Sequence, residues 1–174
     1  LQGQHEHAEE VYRRAIALAP VWAPAHANLG ALYVEAKRYQ EAETTLHRAL
    51  ALAPDDIEVL NNLGLAMQGL GRLDRALEWF RRATAKNPRH AGAHSNLGLV
   101  LEELGDSTQA IQAYEQAVTC DPRFYTAHQN LLGALVGLGH VDRAYPLACA
   151  LLEQPRAETT LPVILSKASS AGLN

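Results

Sequence analysis

Residues 25–30 read AHANLG, residues 59–64 VLNNLG, residues 93–98 AHSNLG and residues 127–132 AHQNLL. Asn28, Asn62, Asn96 and Asn130 therefore stand 34 residues apart, each followed by Leu. Self-similarity at a period of about 20–50 residues marks a stack of small units rather than one closed core. The beat holds outward from each asparagine. After Leu29-Gly30 come Tyr33, Ala42, Leu46, Ala49 and Pro54; after Leu63-Gly64 come Met67, Ala76, Phe80, Ala83 and Pro88. After Leu97-Gly98 come Leu101, Ala110, Tyr114, Ala117 and Pro122. A fourth pass keeps Leu131 and Ala144. It puts Leu132 in place of the Gly, Leu151 in place of the second small residue, and Pro146 inside the expected second helix.

The spacing has a direct physical reading. In each unit the Leu, the small residue after it and the apolar residue three further on share one face of a helix. The Gly is small because a partner helix must come close there. The stripe from Ala42 to Ala49, and its equivalents, marks a second helix packed on the first. Gly71, Gly105 and Gly139 lie between the two and predict left-handed turns. The Pro near each unit's end cannot continue the second helix. Each unit is thus a helix–turn–helix that cannot bury its own apolar face, and stacking on its neighbours does so.

This pattern resembles the tetratricopeptide repeat: the unit length, Leu-Gly with an aromatic three residues on, the later Ala and aromatic, and the closing Pro. The resemblance implies an all-α right-handed superhelical solenoid of antiparallel helix pairs. Its units would be 23–56, 57–90, 91–124 and a degenerate 125–158. One departure is that the family's frequent Trp at the fourth position is replaced by His26, Leu60, His94 and His128. The helices should interlock more loosely there, or neighbours should fill the space.

Run backwards, the beat places Ala8, Tyr12, Ala15 and Pro20 on the second helix of a preceding unit, and Gly3 on its interhelix turn. Residues 1–22 are therefore expected to be that second helix, cut from a longer protein, with the face around Ala8, Tyr12 and Ala15 left uncovered. At the other end, TTLPVILSKASS predicts a capping helix with Thr160 as its cap and Pro162 in its first turn. Residues 159–174 are thus read as that helix and a loose tail.

Composition limits the function. The net charge of -4 argues against a nucleic-acid surface, which needs a basic excess. No apolar run approaches the roughly 18–20 residues of a membrane span, so membrane insertion is not expected. Cys120 and Cys149 make no disulfide framework, and nothing demands an oxidising compartment, so a cytoplasmic location is the expectation. Ser95 and Ser107 lack a Gly-x-Ser-x-Gly context, no Gly-rich phosphate loop occurs, and Glu102 and Glu103 read as solvated helix carboxylates. His90 and His94 are four apart, but no further ligand completes a metal set. The expectation is a chain with no enzyme site, no cofactor and no metal. His26, His94 and His128 read as helix-packing residues.

In the resembled family, first helices line a concave groove, and some members clamp a partner's terminal carboxylate there with Lys and Arg. The corresponding positions here, Ala27, Ala31, Asn61, Leu65, Ser95, Leu99, Gln129 and Gly133, include no cation. Such a clamp is not expected. An Asn amide both donates and accepts, matching the backbone of an extended peptide, although the same asparagines could instead join helix to helix. The predicted peptide groove comprises Asn28, Asn61, Asn62, Leu65, Ser95, Asn96, Leu99, Gln129 and Asn130. The expected partner is a protein or peptide. A similar asparagine ladder in O-linked N-acetylglucosamine transferases suggests an alternative, a substrate-recognition arm of a larger glycosyltransferase. A further alternative is a scaffold that self-associates, for example through the uncovered N-terminal helix.

Overall fold

The structure, a computed structural model, describes residues 2–152, all helix and turn with no strand. The expected capping helix and tail at 159–174 lie outside the described residues. The chain divides into two compact units, 1–88 and 89–174.

The first unit holds α1 (Gln2–Leu18), α2 (Ala23–Glu35), α3 (Tyr39–Leu52), α4 (Ile57–Gly69) and α5 (Leu73–Lys86). Helices adjacent in sequence pack together from α1 to α5, and α2 also packs on α4. The second unit holds α6 (Ala91–Glu103), α7 (Ser107–Cys120), α8 (Tyr125–Gly137) and α9 (Val141–Leu152), with α6 likewise against both α7 and α8. The first helices α2, α4, α6 and α8 begin 34 residues apart. The fold is all-α, built of antiparallel helix pairs.

The repeated Gly marks the close approach within each pair. A Cβ on Gly30 would lie 2.5 Å from Leu46, on Gly64 2.5 Å from Phe80, and on Gly98 2.4 Å from Tyr114. No real Cβ sits so near another heavy atom, so these three sites admit only glycine as packed. Around them, Ala42, Leu46, Ala49, Ala76, Phe80, Ala83, Ala110, Tyr114 and Ala117 are wholly buried. In the fourth pair the sizes are exchanged. Leu132 replaces the Gly and is buried, while the place 34 residues after Tyr114 is the small Ala148, and Leu151 fills the core.

Each pair turns through the same motif. Gly71, Gly105 and Gly139 take φ of 72°, 84° and 73°. The next residue's N–H reaches back five residues: Arg72 N to Met67 O at 2.9 Å, Asp106 N to Leu101 O at 2.9 Å, and His140 N to Leu135 O at 2.9 Å. This is the Schellman helix stop, which needs a left-handed residue. The first pair closes identically, Arg38 N to Tyr33 O at 2.8 Å, but its left-handed residue is Lys37, with φ of 58°.

Gly3 departs from expectation. It lies inside α1, not on a turn; glycine weakens a helix by about 1 kcal/mol without forbidding it. Pro146 stays within α9, where it removes one helical donor from the carbonyl of Asp142.

Candidate interaction surface

The polar residues of the first helices fall into two groups, those the fold consumes and those it leaves. In the first unit, Asn28 is exposed and Asn62 half-buried, and neither amide has a hydrogen-bond partner among the described residues. Ala27, Ala31 and Leu65 are half-buried beside them; Glu35 is exposed, and Glu58 is exposed but engaged within the fold. Asn61, one residue from Asn62, is only 8 % exposed and is engaged within the fold. In the second unit Ser95 is 2 % exposed, and Asn96 is half-buried and engaged. Leu99, Gln129 and Asn130 are half-buried, and the Nδ2 of Asn130 is buried with no partner among the described residues.

Of the predicted groove residues, Asn61 and Ser95 show the least surface. Their places on α4 and α6 are covered by packing, and a buried amide is tolerated when its polar groups are satisfied inside.

The histidines serve the fold locally. The ring of His26 is buried and donates from Nε2 to the carbonyl of Pro20 at 2.9 Å, tying α2 to the preceding turn. Leu60 at the equivalent place is wholly buried. The family's Trp position is thus filled rather than loose. His128 donates from Nδ1 to Phe124 O at 3.2 Å. His90 caps α6, its Nδ1 accepting from Ala93 N at 2.9 Å. Among the described residues no group of three or more His, Cys, Asp or Glu is placed to hold a metal ion. No described helix is long and apolar enough to cross a membrane.

Charged side chains instead join one helix pair to the next. Glu9 of α1 accepts from Arg38 at 2.6 Å and from the Tyr33 hydroxyl at 3.0 Å, and pairs with Arg13 at 2.8 Å. Arg38 also binds Glu41 and lies 4.4 Å from the centre of the Tyr33 ring. The Arg38 guanidinium, helped by the Tyr33 hydroxyl and Arg13, holds the Glu9 carboxyl below its ordinary range. Glu9, Tyr33 and Arg38 border a cavity of about 330 Å³ between α1 and α2, also lined by His5 and Glu6. In the second unit the Tyr114 hydroxyl donates to Glu102 at 2.8 Å, and burial, with that carboxylate beside it, pushes the phenol well above its ordinary value. Sequence reading missed these ties. Arg38 and Arg72 sit 34 apart, as do Glu9 and Glu43, and that shared beat was their signal.

Family models described as tetratricopeptide repeat match residues 1–21, 23–88 and 61–123. No curated protein matches the sequence. Among solved structures, a crystal structure of MamA is 26% identical with a TM-score of 0.75, covering 97% of this chain and 93% of that one. YrrB, described as a TPR protein with an unusual peptide-binding site, is 18% identical with a TM-score of 0.76, covering 95% of this chain and 86% of its own. A protein described as Pseudomonas aeruginosa pilF is 23% identical with a TM-score of 0.74, covering 99% and 83%. The last two likenesses are of fold alone. The family matches, the glycine-gated helix pairs and the all-helical neighbours agree: the chain belongs to the tetratricopeptide repeat family of protein-interaction modules.

Proposed function

We propose that this chain binds an extended segment of a partner protein along the faces of α2 and α4, the first helices of its first unit. The observation that carries the reading is the state of Asn28 and Asn62. If their purpose were to join helix to helix, the fold would use their amides. It uses neither. Each leaves a donor and an acceptor beside half-buried Ala27, Ala31 and Leu65, a combination suited to a peptide backbone and the apolar side chains along it. On α6 and α8 the equivalent asparagines differ, since Asn96 is engaged within the fold and the Nδ2 of Asn130 is buried, so the reading rests on the first unit. YrrB, a relative in fold, is described as a TPR protein with an unusual peptide-binding site, which supports peptide binding by a scaffold of this kind. The test is a side-chain amide NMR experiment: a bound peptide should shift the Asn28 and Asn62 resonances. If only backbone signals at the helix ends move, the segment binds elsewhere.

A second reading rests on α1. Ala8, Tyr12 and Ala15 are only half-buried, whereas their equivalents in α3, α5 and α7 are fully buried. That face can take a helix from another copy, giving self-association. Sedimentation at increasing concentration should show a heavier species that Tyr12→Lys abolishes; a concentration-independent monomer would exclude it.

A further inference from the structure

Two contacts close the seam between α3 and α4. The outer end of the Tyr39 ring lies against Gly69 and leaves no room there for a Cβ. Arg72 bonds Glu43 at 2.9 Å. Two beats later α7 and α8 also pack together, but both closures are gone. Ser107 stands at the place of Tyr39, Ile111 at that of Glu43 and His140 at that of Arg72. Gly137 keeps the place of Gly69, and no described residue comes within 4 Å of a Cβ built on it. This seam holds a cavity of about 180 Å³, lined by Ile111 and Leu138 and by exposed Thr108, Gln112 and His140. At its border Arg143 and Glu115 bond each other.

The packing of the described residues does not explain Gly137. It ends α8, where glycine weakens a helix. The same place holds Glu35 in α2 and Glu103 in α6, so the repeat does not demand glycine there. In α4 the Tyr39 ring demands it; in α8 no described side chain does. The cavity has the size of one ring, since a cavity of about 150 Å³ accepts benzene. The seam between α1 and α2 also lacks the ring, with His5 in its place, and it too has a cavity. There, however, Glu35 replaces the glycine, and Arg38 bonds Glu9. Only the α7–α8 seam combines the glycine with open space. Residues 153–174 of the chain contain no Phe, Tyr or Trp to supply a ring.

We propose that the seam of α7 and α8 takes a tyrosine side chain from an exposed segment of a partner protein, its ring set against Gly137 as Tyr39 is set against Gly69. Ile111 and Leu138 are the apolar walls for the ring. Thr108, Gln112 and His140 supply hydrogen-bonding groups for the hydroxyl, the partner that a half-buried tyrosine needs. The site belongs to the second unit and does not rest on the groove of α2 and α4.

The experiment is an NMR titration of the full chain with two acetylated pentapeptides, Gly-Ser-Tyr-Ser-Gly and Gly-Ser-Leu-Ser-Gly. The tyrosine peptide should shift the Gly137 and Leu138 amides saturably, through the ring current, and should bind at least about fivefold tighter than the leucine peptide. Gly137→Glu, which installs the residue found at the same place in α2 and α6, should abolish those shifts while the fold is kept. Ser107→Tyr should abolish them independently, by filling the seam from within. No shift at millimolar tyrosine peptide, equal binding of both peptides, or shifts that survive both substitutions overturns the proposal. So does a Gly137 amide that moves with protein concentration alone and ceases to do so in Tyr145→Ser, because the ring then comes from the exposed Tyr145 of a second copy.

Discussion

Arg72 of the second helix pair reaches Glu43 of the first at 2.9 Å, 29 residues back, and Arg38 reaches Glu9 at the same interval. The tie lapses at the next beat, where Asp106 replaces the arginine and caps α7 through Gln109 N at 3.0 Å. Both partners of the Arg72–Glu43 pair are near the surface, so its worth is modest. A double-mutant cycle with Arg72→Gln and Glu43→Gln, read by urea denaturation, should give a coupling of about 0.2–1 kcal/mol that shrinks in high salt.

Lys37 holds the left-handed place that glycine holds in the other three turns. A side chain there is strained, so Lys37→Gly should stabilise the protein by about 1 kcal/mol. Gly105→Ala should destabilise it by a similar amount, although nothing lies within 4 Å of the added Cβ. Opposite shifts of the urea midpoint check both.

Gly98 lies so close to Tyr114 that an added Cβ would meet the ring at 2.4 Å. Gly98→Ala should cost about 1–3 kcal/mol through overpacking. Combined with Tyr114→Leu, it should cost less than the sum of the two single changes. Additive costs would mean that the two sites do not share a contact.

Tyr114 also sets an alkaline limit. Its phenol titrates higher in the fold than in the unfolded chain, where the value is about 10. Below that pH both states are protonated and stability is unaffected. Above it the unfolded state loses its proton first, so stability falls as pH rises. Tyr114→Phe should flatten this alkaline loss in melts between pH 9 and 11 (chosen to bracket the value of about 10). At the acid end the sign is reversed: Glu9, held low by Arg38, contributes stability that is lost as pH falls below about 4.5.

Much of this was legible because the repeat states each packing rule several times. Gly30, Gly64 and Gly98 announce the close approach together, and Gly71, Gly105 and Gly139 the turns. Where one repeat departs, the rule gives no warning: Lys37 reads as an ordinary charged loop residue. His26 finds its partner in the Pro20 carbonyl, a relation of turn to helix that side-chain pattern does not encode. Asn61 and Asn62 were indistinguishable in sequence. One helical step of about 100° separates a consumed amide from an available one, and only the neighbouring helices decide which is which. Gly3 shows the converse, since glycine at the turn beat allows a turn without requiring it.

The most direct test is calorimetric titration of an extended peptide, selected from a random peptide library for retention by wild-type protein, into wild-type protein and into Asn28→Ala with Asn62→Ala, beside thermal melts of both. Each lost hydrogen bond is worth about 0.5–1.5 kcal/mol. The account predicts at least tenfold weaker binding, about 1.4 kcal/mol, with the melting temperature unchanged because the fold uses neither amide. Unchanged affinity, or a melting temperature several degrees lower, would contradict it.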